Sequence, residues 1–551
     1  MNQTLKFILK IIVTLALGAG AIFLALALMN NLYDYRSPLS AHPPTPGRSF
    51  TEPISERVVF VLVDGLRYDT AENSEVMPVL NQLRRQGASA KGHSQTPSYS
   101  MPGYGVLLTG AWPYLSDAPV FNLTYEEAYP FSQDNVFSAA KRFGLQTAAS
   151  GYYWFEKLIP SKALDIGFFT PEEDKKADRA VVDAALPWLR SLDYNFIFIH
   201  LDQVDHAGHH EGGPQKEAWN QAASRVDGLL AEIVSELDFS KDTLLITSDH
   251  GHIDQGGHGG QDAIVLIEPF VLVGNGVKPG IYEDINQVDI APTLSAFLGL
   301  NIPALAQGRV LSDMMYLPEK TLDAMHNETS RQQSKLLADY ATAIGQPLPP
   351  EATNASPSIT VDQYQKAFRN IQQNRINRER MIRFGIGTVA LVLLIFIFWR
   401  WKPKGWVTPV LAAILYTVLY HLAYTTLGQK VYSYSSVASP TQLVVVNGLI
   451  TLSAVTITWL LFSFQNWIAL DLKQNLSKIL DLTIVMMLIT SIPLVVHILW
   501  NGLFATWMLP NIFFQYLALL SLVQIFFMGV AALLLLIVTT IILFSRKKKP
   551  A

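Results

Sequence analysis

Three stretches of this chain concentrate side chains that can hold a cation or attack an electrophile. In the first, the apolar run Leu244-Leu245-Ile246-Thr247 ends abruptly in Ser248-Asp249-His250-Gly251. Such a run reads as a buried strand, and its C-terminal tip is where α/β folds place their chemistry, so Asp249 and His250 are candidate metal ligands. His258 follows in Gly256-Gly257-His258-Gly259-Gly260, a segment that can turn tightly and bring backbone close to a ligand. In the second, Phe196-Ile197-Phe198-Ile199-His200-Leu201 runs into Asp202-Gln203-Val204-Asp205-His206-Ala207-Gly208-His209-His210. Asp205 and His209 form D-x-x-G-H, a carboxylate and an imidazole suited to zinc, with Asp202, His206 and His210 competing for the same role. In the third, the run Val58-Val59-Phe60-Val61-Leu62-Val63 delivers Asp64-Gly65, which makes Asp64 a further candidate ligand. Any one of these histidines alone is an ordinary surface residue; the constellation is what points to metal chemistry.

Ser100 lies in Pro97-Ser98-Tyr99-Ser100-Met101-Pro102-Gly103-Tyr104-Gly105, a constrained entry to a helix. At that position its hydroxyl is either an N-cap or a nucleophile, with the helix amides available to an anionic phosphoryl group. No Lys, Arg or His adjoins it in sequence, so activation falls to a metal. The chain has no cysteine, so ions must be held by His, Asp, Glu or hydroxyl groups.

These positions need a scaffold. Strand-like runs that alternate with amphipathic segments predict a doubly wound α/β domain: Asn73–Gly87 carries Val76, Val79, Leu80 and Leu83 at helical spacing, and Ala218, Ala222, Val226 and Leu229 mark a packing helix after Pro214. Tyr152, Tyr153, Trp154 and Phe155 read as a packed strand or as a stacking surface for a base or headgroup. Of the 551 residues, 50% are hydrophobic and 16% charged, which predicts soluble and membrane-embedded parts together. A net charge of −4 gives no ground to expect a nucleic-acid partner, and nothing in the sequence specifies an oligomeric state.

The residues from Arg57 to Val310 resemble the alkaline phosphatase superfamily. Its motifs occur in order: Asp64-Gly65, Ser100-x-Pro-Gly, Asp205-x-x-Gly-His209, Ser248-Asp249-His250-Gly251 and Gly257-His258-Gly259, closing with Gln287-Val288-Asp289-Ile290-Ala291-Pro292-Thr293-Leu294. The resemblance implies a three-layer sandwich with a mostly parallel central sheet. It also implies two divalent ions, zinc before manganese: one held by Asp64, Ser100, Asp249 and His250, the other by Asp205, His209 and His258. Two such cations can clamp an in-line phosphoryl transfer. In the sulfatase element an Arg stands where this chain has Tyr104, which argues against that branch. Ser100-Met101-Pro102-Gly103 instead looks like the type I phosphodiesterase/nucleotide pyrophosphatase branch and the GPI ethanolamine phosphate transferases; Ser in place of the former's usual Thr leans toward the latter. The implied activity is a metal-dependent phosphodiesterase or phosphoethanolamine-type transferase that works through a covalent Ser100 intermediate on a phospholipid, glycolipid or nucleotide-like diester. A phosphomonoesterase and a non-catalytic transporter or scaffold are the alternatives.

The expected organisation is a cytoplasmic stub and anchor (1–34), a linker (35–56), the α/β domain (57–320), a helical stalk and linker (321–383) and a bundle of about five membrane helices (384–551). Phe7–Met29 is longer than the apolar core of a signal peptide. The later stretches lie near 384–400, 406–427, 441–464, 479–500 and 512–544, against the roughly 20 helical residues a bilayer needs. The shortest, 384–400, is expected to continue out of the preceding charged helix, Asp362–Arg383. With the first helix running outward, Arg400, Lys402, Lys404, Lys473, Lys478 and Arg546–Lys549 all fall on the cytoplasmic side. That topology puts both termini in the cytoplasm and the α/β domain outside it, in a plasma, inner or ER membrane. His421, Asn447, His497 and Asn501 read as interhelical hydrogen-bond partners, and Arg369, Arg375, Arg378, Arg380 and Arg383 as a solvated face.

Overall fold

The computed structural model describes residues 3–356, 358–401, 405–437, 439–468 and 472–547. Lys402, Lys404, Lys548 and Lys549, four of the basic residues expected on the cytoplasmic side, lie outside them. Among the described residues nine strands follow in chain order: β1 (Arg57–Val63), β2 (Ala88–His93), β3 (Thr147–Tyr152), β4 (Ile166–Thr170), β5 (Phe196–Leu201), β6 (Asp242–Thr247), β7 (Ile267–Gly274), β8 (Gly280–Ile281) and β9 (Ile285–Asn286). They form one sheet of order β4-β3-β5-β1-β6-β7-β2-β8, with β9 paired to β2. β1 runs parallel to both β5 and β6, and β3 to both β4 and β5, while β7 is antiparallel to β6 and to β2.

The apolar runs have a direct cause. Val58, Phe60 and Leu62 enter one core while Val59, Val61 and Val63 enter another, so β1 is covered on both faces and tolerates no polar position. The Ser100–Thr109, Val136–Arg142 and Ile290–Phe297 helices contribute to the first core, and the Pro78–Gln86, Lys175–Arg190 and Glu217–Ser235 helices to the second. This makes three layers. The expected helix over 73–87 is present as Pro78–Gln86, starting later than the spacing suggested because Pro78 suits a first helical turn, where a missing N–H is tolerated; a separate short helix, Tyr68–Glu72, precedes it.

Among the described residues, six helices are long and apolar enough to cross a membrane: Thr4–Tyr33, Val361–Ile397, Val407–Leu427, Thr441–Phe462, Asn475–Asn501 and Ile512–Ile541. The chain is a multi-pass membrane protein. Stalk and second span are one continuous helix, Val361–Trp401. The N-terminal helix is part of the bundle: a Cβ on Gly18 would lie 3.2 Å from Gly529 Cα, so two glycines let the first and last helices approach closely. The Tyr420 hydroxyl donates to Asn447 Oδ1 at 2.5 Å across two helices, as expected of polar groups there, whereas His497 and Asn501 pair within one helix at 3.0 Å.

The 35–56 segment is laid against the α/β domain. The Ile54 and Ser55 amides donate to Phe297 O at 2.9 and 3.1 Å, and Leu39 is buried with Tyr340, Tyr364 and Phe368. The helix Glu319–Ala343 shares that core with Ala111, Leu115 and Leu305, so the expected stalk begins as a packed layer of the globular part.

Candidate active site

Reversal of strand order around β1 leaves a crevice at the C-terminal ends of β1, β5 and β6, the place where doubly wound sheets bind ligands. Asp64 stands at the end of β1, Asp202 and Asp205 just past β5, and Asp249 and His250 just past β6. Gly65 allows the strands to end this close together: its φ is +68°, and a Cβ there would lie 2.8 Å from His252 Nε2. The Gln287 amide donates to Ser248 O at 3.1 Å and Asp249 O at 2.7 Å, which fixes the tip of β6.

Asp64 is almost wholly buried and divides its two oxygens between different tasks. Oδ2 accepts from the Tyr104 hydroxyl and from His200 Nε2 at 2.9 Å. Because the Tyr152 N–H points at His200 Nδ1 at 3.4 Å, the proton of His200 is assigned to Nε2. Oδ1 has no hydrogen-bond partner. Asp249 repeats the pattern: Oδ1 accepts the Gly65 N–H at 3.2 Å and Oδ2 has no partner. The two free oxygens lie 3.5 and 3.4 Å from His250 Nε2. His250 Nδ1 faces the Gly251 carbonyl at 3.2 Å; a carbonyl can only accept, so Nδ1 carries the proton and Nε2 offers a lone pair. Burial and the nearby Asp64 charge push the Asp249 carboxyl well above the ordinary range. Three acceptors thus converge inside the protein, the situation a bound cation resolves. These residues fit a divalent metal ion.

Ser100 opens its helix as the first helical residue, and Tyr99 is the N-cap, so the hydroxyl is not the cap that the sequence allowed for. It lies 3.3 Å from His250 Nε2, and Asn122 Nδ2 donates to it at 3.4 Å. Asn122 is held in that orientation because its Oδ1 accepts the Met101 N–H at 3.0 Å. Ser100 therefore borders the first acceptor cluster.

The second cluster lies beside it. The His250 and His258 rings stack with centroids 3.7 Å apart. His258 Nδ1 donates to Ser98 O at 2.9 Å, which turns Nε2 toward His209 Nε2 at 2.9 Å and Asp205 Oδ1 at 3.6 Å. His209 Nε2 is 3.4 Å from Asp205 Oδ2. Burial works to raise the Asp205 carboxyl, but His209, His252 and His258 around it hold it well below the usual range. Of the competing residues, Asp202 groups with Asp64 and His200, whereas His206 and His210 turn to another side of the helix Gln203–His210. Asp178 secures that helix by accepting the Asp202 and Gln203 amides at 2.7 and 3.3 Å; burial still pushes its carboxyl up to about 6.

His252, Asn122, His200 and Asp178 escaped the sequence reading. His252 had a local signal, since it stands two residues beyond His250. Its Nδ1 accepts the Gly257 N–H at 2.8 Å, so Nε2 carries the proton and donates to Asp205 Oδ1 at 2.7 Å. It orients a carboxylate from behind, as outer partners of metal ligands do. Tyr152 ends β3 and Phe155 is buried against Tyr104, so only part of the aromatic run, around Tyr153 and Trp154, stays near the surface.

The membrane bundle reaches this site. The loop between the spans Val407–Leu427 and Thr441–Phe462 touches the glycine-rich segment: Ser435 Oγ accepts the Gly260 N–H at 3.1 Å, Ser433 Oγ donates to Asp262 Oδ2 at 2.5 Å, and Tyr432 O accepts from Gln261 Nε2 at 3.0 Å. Tyr99 packs on Phe121, which meets Tyr434. Replacing His252 by Ala is expected to weaken binding of one divalent ion by about 10–100-fold while the fold persists, the usual cost of losing an outer partner. Zinc competition against a chelator, with circular dichroism alongside, checks it; unchanged affinity contradicts it.

The type I phosphodiesterase/nucleotide pyrophosphatase family model matches residues 58–115, and the metalloenzyme superfamily model matches 166–302. The human GPI ethanolamine phosphate transferase 2 catalytic subunit is 28% identical over 305 residues, which is 50% of this chain and 30% of that protein. The human transferase 3 catalytic subunit is 25% identical over 415 residues, 64% of this chain and 37% of that protein. Mouse transferase 1 is 26% identical over 347 residues, 53% of this chain and 36% of that protein. The chain thus spans about a third of the length of these curated relatives. Among solved structures, murine ectonucleotide pyrophosphatase/phosphodiesterase 5 aligns with a TM-score of 0.38 at 15% identity, covering 45% of this chain and 96% of that one. The Listeria monocytogenes lipoteichoic acid synthase LtaP aligns at 0.35 and 15%, covering 46% of this chain and 73% of that one. The two family-model matches overlie the Asp/His constellation, and the chain is similar there to the metalloenzyme superfamily and to the type I phosphodiesterase/nucleotide pyrophosphatase family, and over half or more of its length to the GPI ethanolamine phosphate transferases.

Proposed function

We propose that the chain is a membrane-bound phosphoethanolamine-type transferase whose nucleophile is Ser100. In this reading Asp64, Ser100, Asp249 and His250 hold one divalent ion, and Asp205, His209 and His258 hold a second. Imidazole and carboxylate donors without thiolate favour zinc, with manganese next. When bound, the ions lower the pKa of the hydroxyl they touch and neutralise charge on the phosphoryl oxygens. The chain supplies the rest. Ser100 Oγ, its proton given up to water, attacks the phosphorus of a phosphatidylethanolamine-type diester; the P–O bond to the diacylglycerol breaks and that alcohol leaves with a proton from water, while Asn122 Nδ2 is fixed where it can donate to a phosphoryl oxygen. Tyr104 and His200 keep Asp64 Oδ1 turned inward, and His252 does the same for Asp205. An acceptor hydroxyl then attacks the phosphorus, losing its proton to water; the P–O bond to Ser100 breaks, and the serine takes a proton back to restore its hydroxyl.

The observation that carries a lipid rather than a soluble substrate is the contact between the site and the bundle. Residues next to Ser100 and His258 rest on the 432–435 loop, so the nucleophile works against the membrane part of its own chain. A cavity of about 450 Å³ adds to this reading, with walls that include Leu28 and Leu32 of the first span, Thr96 before Ser100, and Arg369, Arg380 and Arg383. Arg380 stacks 3.8 Å over the Trp500 ring and donates to Trp500 O at 3.0 Å. Arg375 likewise stacks on Trp507, so the arginines expected as a solvated face partly line a polar pocket beside apolar helices. Cationic groups next to an apolar wall suit the phosphate and tails of a phospholipid donor. In this reading the α/β domain and this pocket face the extracytoplasmic side, and the acceptor is a glycolipid.

Ser100→Ala is expected to lower transfer from phosphatidylethanolamine by at least about a thousandfold while metal content and fold are kept; retained turnover excludes the serine mechanism. Arg380→Gln with Arg383→Gln is expected to raise KM for the lipid by about 10–100-fold, since a charged hydrogen bond contributes about 1.5–3 kcal/mol, and to leave cleavage of a soluble p-nitrophenyl diester unchanged. Equal losses on both substrates contradict the pocket's assignment.

A further inference from the structure

The helix Gln203–His210 carries two pairs of potential ligands, each one turn apart. Asp205 and His209 face His258. His206 and His210, one residue further along, are rotated by about 100° from them and meet Glu173 instead. Glu173 sits in the turn between β4 and the helix Lys175–Arg190. Asp174 anchors that turn by accepting the Lys176 and Ala177 amides at 2.8 and 3.1 Å. The His206 and His210 rings are 4.7 Å apart, and one ligand atom from each of Glu173, His206 and His210 lies within 4.8 Å of the others. Donors at 2.0–2.2 Å from a common zinc ion are at most about 4.4 Å apart, so small side-chain rotations close the set.

A second observation points the same way. His206 Nδ1 is buried and has no hydrogen-bond partner, and Glu173 Oε2, 4.0 Å away, is too far to satisfy it directly. A buried ring nitrogen turned toward a carboxylate and a second imidazole, yet bonded to neither, fits a shared cation between them.

We propose that Glu173, His206 and His210 form a third divalent-cation site, separate from the residues assigned to phosphoryl transfer. Two imidazoles and one carboxylate are a zinc-type donor set. The ion would tie the helix that bears Asp205 and His209 to the 171–174 turn, across its flank facing away from His258. The site restrains the outer side of the ligand helix, while Asp178 holds its N-terminal end.

Zinc content of the full-length protein in detergent, stripped with chelator, reloaded with zinc chloride and desalted, tests the proposal. His210→Ala and, separately, Glu173→Gln are each expected to carry one equivalent less than the unaltered chain. The same loss of one equivalent is expected when His210→Ala is added to Asp205→Asn with His209→Ala, which disables the neighbouring set. Because the readout is a difference, it does not depend on how many ions the phosphoryl-transfer residues bind. Equal zinc in the unaltered chain and both single variants overturns the third site.

Discussion

Asp64 and Asp249 each turn one unpaired oxygen toward the unprotonated nitrogen of His250 inside the protein. Hydrogen bonds elsewhere on the same groups enforce this. Tyr104 and His200 occupy the other Asp64 oxygen, Gly65 the other Asp249 oxygen, and Gly251 the other His250 nitrogen. Leaving three acceptors together in a low-dielectric interior costs several kcal/mol, about 1–3 for each unsatisfied group and more for a charged one. The fold sustains such an arrangement where a cation completes it, and the rest of the site is built to hold this one in place.

The sheet does the holding. Three parallel strands buried on both faces bring their tips to one crevice, and positive-φ glycines let the loops beyond them close in. Gly257, at φ +107°, meets Ser435 O, where a Cβ would come within 2.3 Å. The glycine-rich loop that carries His258 is thereby wedged between the α/β domain and the bundle. That contact gives the bundle a role a simple tether lacks: it shapes the loop that bears His258, one of the proposed ligands.

Much of this was legible because burial on both faces leaves no room for polar residues. β1, β5 and β6 appear in the sequence as unbroken apolar runs, and the acidic residues that end them are conspicuous. The six apolar helices among the described residues were legible from the length of their apolar stretches. Strands β2 and β3, Ala-Ser-Ala-Lys-Gly-His and Thr-Ala-Ala-Ser-Gly-Tyr, were not, since small residues packed under helices carry no periodic signal. Asn122, His200 and Asp178 act through contacts 22 to 136 residues away, which no local pattern encodes. The arginines after Asp362 looked like a solvated face because their partners, Trp500 and Trp507, come from the far end of the chain.

The proposed mechanism depends most directly on the relation between His250 and its two carboxylates. Anomalous diffraction from crystals of the zinc-loaded protein, collected on both sides of the zinc absorption edge, addresses it directly. One peak bounded by Asp64, Asp249, His250 and Ser100 is expected, with a second beside it among Asp205, His209 and His258. A map with no peak between Asp64 and Asp249, and His250 hydrogen-bonded to either carboxylate instead, would contradict it.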